Sequence, residues 1–186
     1  MLYETIGYIL KNLSTSNSRA VKKYEETLTP HLNKVVSENR TDMIGYVFQI
    51  YAAMILYTPD RELSNDYSVI LGSVTDADNW KKDLKYLAPG QAKIIAAVAY
   101  RHPNVLKEGL GRVFEIYDTL LNEFNMEEHA LDYLSSLMEA FSIDDIASHL
   151  SDAVGKAFNR MQLFKQKSRA KVIPKAFKIN MMIFFS

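Results

Sequence analysis

Amphipathic helical segments recur in pairs along the chain at intervals of about 40 residues, with little sequence between them. One helix cannot bury its apolar stripe alone, and a pair buries it only in part, so such pairs stack on their neighbours. The repeat therefore predicts an all-α fold in which many consecutive helix pairs share one extended core. Segments that open a pair begin near five positions, which are Met1, Thr41, Asp78, Met126 and Ser168.

The spacing is typical of paired-helix repeats of the HEAT and armadillo type. We therefore predict an α-solenoid (superhelix) of about four to five HEAT-type antiparallel helix pairs, in a single array over residues 1–186. Neither end carries the polar capping helix that an array end requires, so we expect the array to be a fragment of a longer solenoid. The predicted repeat units are 1–40, 41–76, 77–125, 126–167 and a partial unit 168–186.

Helix bounds in the first two units follow from apolar spacing and turn residues. Residues 2–13 and about 18–39 form the first pair, joined by a turn at 14–17, and Pro30 predicts a kink or a restarted helix. Apolar residues cover nearly the whole circumference of the helix that begins at Thr41, which indicates burial on several sides. Pro59 ends that helix, and another runs from about Ser64 to Ser73.

The third and fourth units differ in regularity. In the third, a short helix at 77–87 is followed by a break at Pro89-Gly90, a resumed helix at 94–100 and a long helix at 104–124. Gly109 and Gly111 within the long helix are expected to permit close helix packing. In the fourth, Asn125 with Glu128 and Ser142 with Asp145 have the spacing of a helix N-cap and its third residue, so helices should start after Asn125 and Ser142.

The sequence lacks the residues and motifs that several kinds of catalytic and metal site require. The 186 residues include no Cys, which excludes disulfides, thiolate metal sites and cysteine nucleophiles, and no apolar run approaches the ~18 residues needed to span a membrane. There is no His-Glu-x-x-His or Glu-x-x-His pair, no glycine-rich phosphate loop and no serine nucleophile elbow. We therefore predict a protein that is not an enzyme, without catalytic residues, cofactor or metal. A weak metal pair at Asp145 and His149, spaced i,i+4, is the enzymatic alternative.

Charge is unevenly distributed although the net charge is zero. Residues 1–155 hold 14 Lys and Arg against all 22 Asp and Glu, whereas residues 156–186 hold eight basic residues and no acidic one. The basic end suits a solvated face that balances the acidic body, an acidic protein partner, nucleic acid or an acidic membrane. We favour the first two, because only two aromatic residues interleave with the charges. The basic residues are Lys156, Arg160, Lys165, Lys167, Arg169, Lys171, Lys175 and Lys178.

A collinear series of segments resembles a known family. The segments read YETIG at 3–7, YEETL at 24–28, IGYVFQI at 44–50, GRVFEI at 111–116 and AFNRMQ at 157–162. In order and spacing they resemble the middle-to-late HEAT repeats of the CAS-type exportins, the importin-α re-exporters of the importin-β (karyopherin) superfamily. The resemblance covers nearly the whole chain but a minor part of such an exportin.

The resemblance implies a protein-interaction scaffold within a receptor that binds importin-α and Ran-GTP and shuttles between nucleus and cytoplasm, with nucleoporins as a further candidate partner. We do not expect the amino-terminal Ran-binding repeats of the family within these 186 residues, so any binding by this chain alone should be partial. The resemblance also implies that the second helix of each pair lines the concave binding surface. Without a motif to assign a partner site, the charged residues on those helices are face-level candidates: Lys22, Lys23, Glu26, Asp66, Lys107, Arg112, Glu115, Asp152, Lys156 and Arg160.

Three other functions stay open from the sequence. The chain could be a HEAT segment of another karyopherin or of a regulatory scaffold, or a basic helical-repeat protein that binds nucleic acid, or a metal-dependent helical bundle. Neither membrane binding nor a cofactor is expected. The apolar residues 181–185 should be buried against another surface. If they do not fold back on the chain, we expect self-association through the exposed array ends.

Overall fold

In the computed structural model, the described residues are 2–38, 40–58, 63–80, 84–123 and 125–164, and they are almost entirely helical. The chain divides into two compact bodies, residues 1–102 (the N-terminal body) and residues 103–186 (the C-terminal body). The helices of the N-terminal body are α1 Leu2–Ser16, α2 Ser18–Ser37, α3 Thr41–Tyr57, α4 Asn65–Val74 and α5 Leu84–Arg101. Those of the C-terminal body are α6 Pro103–Lys107, α7 Leu110–Asn122, α8 Glu127–Ala140 and α9 Ile143–Phe164.

Helix α3 is the centre of the N-terminal body. It packs against α1, α2 and α5, and its contact with α5 is the most extensive between any two helices. Nine of its 17 residues are buried, among them Tyr51 and Met54, which are fully enclosed. The predicted burial of this helix on several sides is therefore confirmed.

Helices α3 and α5 cross at two glycines, where their backbones approach closely. A Cβ added to Gly90 would collide with the carbonyl oxygen of Gly45 and lie 2.8 Å from Cβ of Phe48. A Cβ added to Gly45 would collide in turn with the carbonyl oxygen of Tyr86. Both glycines are therefore required because two helix backbones touch.

The helix break predicted at Pro89-Gly90 is wrong, since α5 runs without interruption through both residues. Pro89 is only the sixth residue of α5, so it removes one early backbone hydrogen bond, and Gly90 serves the crossing rather than a turn. Nor does Pro30 restart a helix, because α2 is continuous from Ser18 to Ser37. In α5, packing against α3 therefore outweighs the tendency of Pro89 and Gly90 to interrupt a helix.

The junction of α1 and α2 is shorter than the predicted turn. Helix α1 extends to Ser16 and α2 begins at Ser18, so Asn17 alone separates them. The Asn17 side chain accepts a hydrogen bond from the Ala20 backbone N–H at 3.2 Å, as an N-cap residue does. After α4, a 3-10 turn at Ala77–Trp80 buries Trp80, whose indole N–H donates to the Val74 carbonyl at 2.6 Å.

The C-terminal body is organised around α7, which packs against both α8 and α9. The long helix predicted at 104–124 is wrong in its middle, because α6 ends at Lys107 and α7 begins at Leu110 with Gly109 as its N-cap. The expectation that Gly109 and Gly111 permit close packing is also wrong. A Cβ on Gly109 would meet only the Leu106 carbonyl at 3.7 Å, and one on Gly111 would meet nothing within 4 Å.

Of the two helix starts predicted in the fourth unit, one is correct. Helix α8 begins at Glu127, and Asn125 lies outside it with a left-handed φ of 66°, so the predicted cap at Asn125 is wrong. Asn tolerates this conformation, which makes it a turn residue here. At α9 the Asp145 backbone N–H donates to the Ser142 hydroxyl at 3.3 Å, and that hydroxyl donates to the Asp145 carboxylate at 2.8 Å, which confirms the second cap.

The prediction of an all-α helical-repeat fold is confirmed by the described residues, which contain paired helices and no strand. The single array with its five unit bounds stays a prediction. Six of the eight basic residues at the carboxyl end, the segment from Ser168 and the apolar residues 181–185 lie outside the described residues.

Candidate partner-binding surface

Candidates in the N-terminal body lie at the surface. Lys22, Lys23 and Glu26 are exposed along α2, and Asp66 is exposed in the first turn of α4. Their spacing on α2 places the three side chains on neighbouring turns of one face. These four residues are therefore accessible to a partner, as the resemblance implies, although nothing brings them together into one cluster with defined geometry.

Candidates in the C-terminal body form a connected surface, which we call the α7–α9 charged surface and define as Arg112, Glu115, Asp118, Asp152, Lys156 and Arg160. At its centre the Lys156 ammonium lies 2.5 Å from the Asp118 carboxylate on α7 and 2.6 Å from that of Asp152 on α9. Hydrogen bonds to Asp118 first, and then to Asp152, raise the pKa of Lys156. Lys156 therefore stays charged and bridges the two helices.

Arg160 extends this surface by one turn of α9. Its guanidinium lies 3.5 Å from the carboxylate of Glu127, which is only 3% exposed, and donates to the Asn122 carbonyl at 3.4 Å. A buried carboxylate is costly without a compensating charge. Arg160 thus stabilises the join between α7 and α8, the connection that contains the left-handed Asn125.

Lys107 belongs to a separate contact at the start of α9. Its ammonium lies 3.0 Å from the Asp145 carboxylate, which also accepts the Ser142 hydroxyl hydrogen bond. The Ser142 bond first, and then Lys107, lower the pKa of Asp145. The carboxylate of Asp145 is therefore occupied by the helix cap and by α6.

Asp145 and His149, the pair considered as a metal site, both contact other side chains. His149 stacks on Phe114, with ring centroids 5.0 Å apart and planes inclined by 19°. Among the described residues no group of three or more His, Asp or Glu side chains is placed to hold a metal ion. The two side chains thus serve a cap and a packing contact.

Arg112 and Glu115 are the residues of the α7–α9 charged surface that make no ion pair within the described part of the chain. Residues 103–164 hold 11 acidic and four basic residues, and three of those four, Lys107, Lys156 and Arg160, pair with carboxylates. Arg112 and Glu115 are exposed, and within the described part of the chain no ion pair involves them. Residues 103–164 are thus acidic overall, whereas the α7–α9 charged surface itself holds three acidic and three basic residues, of which Arg112 makes no ion pair within the described part of the chain.

Sequence reasoning missed the partners of these cations. It placed Lys156 and Arg160 with the basic end, whereas the structure pairs them with Asp118 and Glu127, 38 and 33 residues earlier. The spacing of apolar residues in α7 and α9 gave only a weak indication of this pair. It places Asp118 and Lys156 next to the apolar face of each helix. Which helix would lie next to which could not be read from that spacing.

No helix in the part of the chain that the structure describes is both long enough and apolar enough to cross a membrane.

Comparison with known proteins supplies the family. Residues 1–185 match the family described as CAS/CSE protein, C-terminus. The importin-alpha re-exporter of Schizosaccharomyces pombe is 22% identical over 152 residues, which are 81% of this chain and 16% of that protein. No solved structure gives a significant match. The chain therefore spans about one-sixth of the length of this relative.

The match across 185 of 186 residues, the paired-helix fold and the collinear sequence segments agree with one another. The chain belongs to the CAS/CSE protein family and matches the C-terminal part that defines the family model.

Proposed function

We propose that this chain is a non-enzymatic interaction segment of a nuclear export receptor that returns importin-α to the cytoplasm in complex with Ran-GTP, and so shuttles between nucleus and cytoplasm. The observation that carries the proposal is the family match over residues 1–185, together with a relative named for importin-α re-export. Because the chain covers 16% of that relative, these activities belong to the longer receptor, to which this segment contributes binding surface.

The α7–α9 charged surface is the part we propose to contact the protein cargo. It lies on helices rather than on mobile loops, and ion pairs hold several of its side chains in place. Fixed side chains lose less entropy on binding, which favours specific protein recognition. Arg112 is the side chain that we expect to contribute most, because it is exposed and available.

The charge balance of residues 103–164 disfavours nucleic-acid binding by that part of the chain. Phosphate recognition depends on cations that are free to displace counterions. In residues 103–164 the acids outnumber the bases by 11 to four, and three of the bases already pair with carboxylates. Residues 103–164 therefore carry an excess of negative charge, which would repel a phosphate backbone.

The test is capture of importin-α by the full-length parent receptor, with and without Ran-GTP. We expect association that depends on Ran-GTP, and we expect Arg112→Glu to weaken it at least tenfold. Lys11→Glu is the matched control, because Lys11 is an exposed cation on α1 in the N-terminal body and is not one of the residues of the α7–α9 charged surface. Association that ignores Ran-GTP would point to a different scaffold, and equal effects of the two variants would remove the α7–α9 charged surface from the proposal.

A further inference from the structure

One stripe of α8 points away from the two described helices, α7 and α9, that pack against it in the C-terminal body. It consists of Glu128, Asp132, Ser135 and Glu139, whose spacing of four, three and four residues puts them on one face of the helix. We call these four residues the α8 polar stripe. Three of them carry a carboxylate.

The contacts of α8 with its neighbours fix the direction of this stripe. The side toward α7 is marked by Tyr133, whose hydroxyl donates to the Val113 carbonyl at 3.1 Å. Tyr133 and Ser135 are two residues apart, so they project about 160° apart around the helix axis. The side toward α9 is marked by Glu127, whose carboxylate lies 3.5 Å from the Arg160 guanidinium and which projects about 110° from the middle of the stripe. Neither helix therefore lies directly over the stripe.

The α8 polar stripe is nevertheless not an ordinary solvated face. Ser135 is only 8% exposed, and Glu128 is partly buried. All four residues of the stripe take part in polar or electrostatic interactions. Three carboxylates beside a buried hydroxyl call for a partner that brings positive charge and hydrogen-bond donors.

Residues 165–178 supply that chemistry within the same chain. They hold six basic residues and no acidic one, whereas residues 103–164 hold 11 acidic residues against four basic ones. The six positive charges nearly balance that excess of seven negative charges. The basic residues are Lys165, Lys167, Arg169, Lys171, Lys175 and Lys178.

The course of α9 delivers this basic segment to the correct end of α8. Arg160 lies beside Glu127 in the first turn of α8, and α9 ends one turn later at Phe164. The segment thus follows directly from a point next to Glu128, where the stripe begins. The stripe is about 16 Å long, and 14 residues span that distance in either a helical or an extended conformation.

We propose that residues 165–178 bind the α8 polar stripe, with their lysine and arginine side chains paired to Glu128, Asp132 and Glu139. The short covalent connection makes this binding intramolecular, so a high effective concentration favours it over a separate partner. The proposal goes beyond the export function, because it assigns the basic end of the chain an internal acidic partner. Its cations are then engaged within the protein and are not offered to nucleic acid or to an acidic membrane.

Carbodiimide cross-linking of the full chain tests the proposal, because this reagent joins lysine amines directly to carboxylates that they contact. An equal mixture of unlabelled and nitrogen-15-labelled chains distinguishes links within a chain from links between chains by mass spectrometry. We expect links within one chain from the lysines of residues 165–178 to the α8 polar stripe. The pair of Lys156 and Asp118 is the internal positive control.

Two cross-linking results would overturn the proposal. Links to the stripe that form only between unlabelled and labelled chains would assign it to a second copy. If the control pair is linked and the lysines of residues 165–178 are joined only to carboxylates outside the stripe, the basic segment does not bind there.

Charge reversal in the stripe gives an independent test. Asp132 and Glu139 are exposed, so the double variant Asp132→Lys/Glu139→Lys should fold. Lysines released from ion pairs should be acetylated about fivefold faster, and mass spectrometry measures this rate at each lysine of residues 165–178. Glu108→Lys, at an exposed carboxylate of the same body outside the stripe, should leave the rates unchanged. Equal rates in the parent chain and the double variant would refute binding at the stripe.

Discussion

The two bodies are stabilised at their helix contacts in different ways. In the N-terminal body the backbones of α3 and α5 touch at Gly45 and Gly90, so the contact depends on the absence of side chains. In the C-terminal body α9 is tied to α7 and α8 by side chains, through Lys156 and Arg160. A steric contact does not respond to salt or pH, whereas a polar one does. The same paired-helix architecture thus has one contact that tolerates no added atom and another that depends on charge.

Adding one methyl group at the glycine crossing should have the largest effect. Gly90→Ala places a Cβ against the Gly45 carbonyl, and neither helix backbone can move without disturbing the core, so we expect a loss of about 3 kcal/mol in unfolding free energy. Fluorescence of Trp80, the only Trp of the chain and buried in the N-terminal body, follows urea unfolding of that body.

Gly72→Ala is the control for that prediction, because Gly72 belongs to the same body as Trp80. It lies within α4 with open space where a Cβ would be, so alanine should stabilise the helix by about 0.5–1 kcal/mol. A Gly90→Ala variant as stable as the parent chain would mean that the backbones of α3 and α5 do not touch.

Removing the charge of Arg160 should have the next largest effect, and it should appear in the C-terminal body. Arg160→Met keeps the aliphatic stem but leaves the buried Glu127 carboxylate without this cation, so we expect a loss of about 2 kcal/mol. Hydrogen exchange by mass spectrometry should show faster exchange in α8 and α9. Glu127→Gln in the Arg160→Met background should recover part of the loss, and no recovery would contradict a role for charge.

The sequence predicts the features that depend on neighbouring residues better than those that depend on which helices are adjacent. Helical phase and the Ser142 cap were sufficient for the helix class and for the start of α9, because both depend on neighbouring residues. The roles of Gly90 and Asn125 were not accessible, because a glycine that serves a helix crossing and one that breaks a helix look the same locally. The pairing of Lys156 with Asp118 depends on which helices are adjacent, and local pattern does not specify that.

A smaller effect is expected at the centre of the α7–α9 charged surface. Lys156 is partly exposed, so Lys156→Met should cost about 0.5 kcal/mol at low salt. Because mobile ions screen exposed pairs, the difference from the parent chain should shrink when salt is raised to about 1 M. Urea midpoints at the two salt concentrations measure this. A difference independent of salt would assign the role of Lys156 to packing of its aliphatic stem.

The smallest effect should come from the cap of α9 and should depend on pH. The pKa of Asp145 is lowered in the folded chain by Ser142 and Lys107. At acidic pH its carboxyl group therefore binds fewer protons in the folded state than in the unfolded state. Its contribution to stability is therefore fully present above the unfolded Asp pKa of about 3.9, and is lost as pH falls through the folded value. Asp145→Asn should accordingly lower the urea midpoint near neutral pH, and the difference from the parent chain should vanish in acid. Carboxyl-carbon NMR shifts of Asp145 give the folded pKa directly, and titration at or above the unfolded value would show that the cap and the Lys107 contact do not favour the charged form.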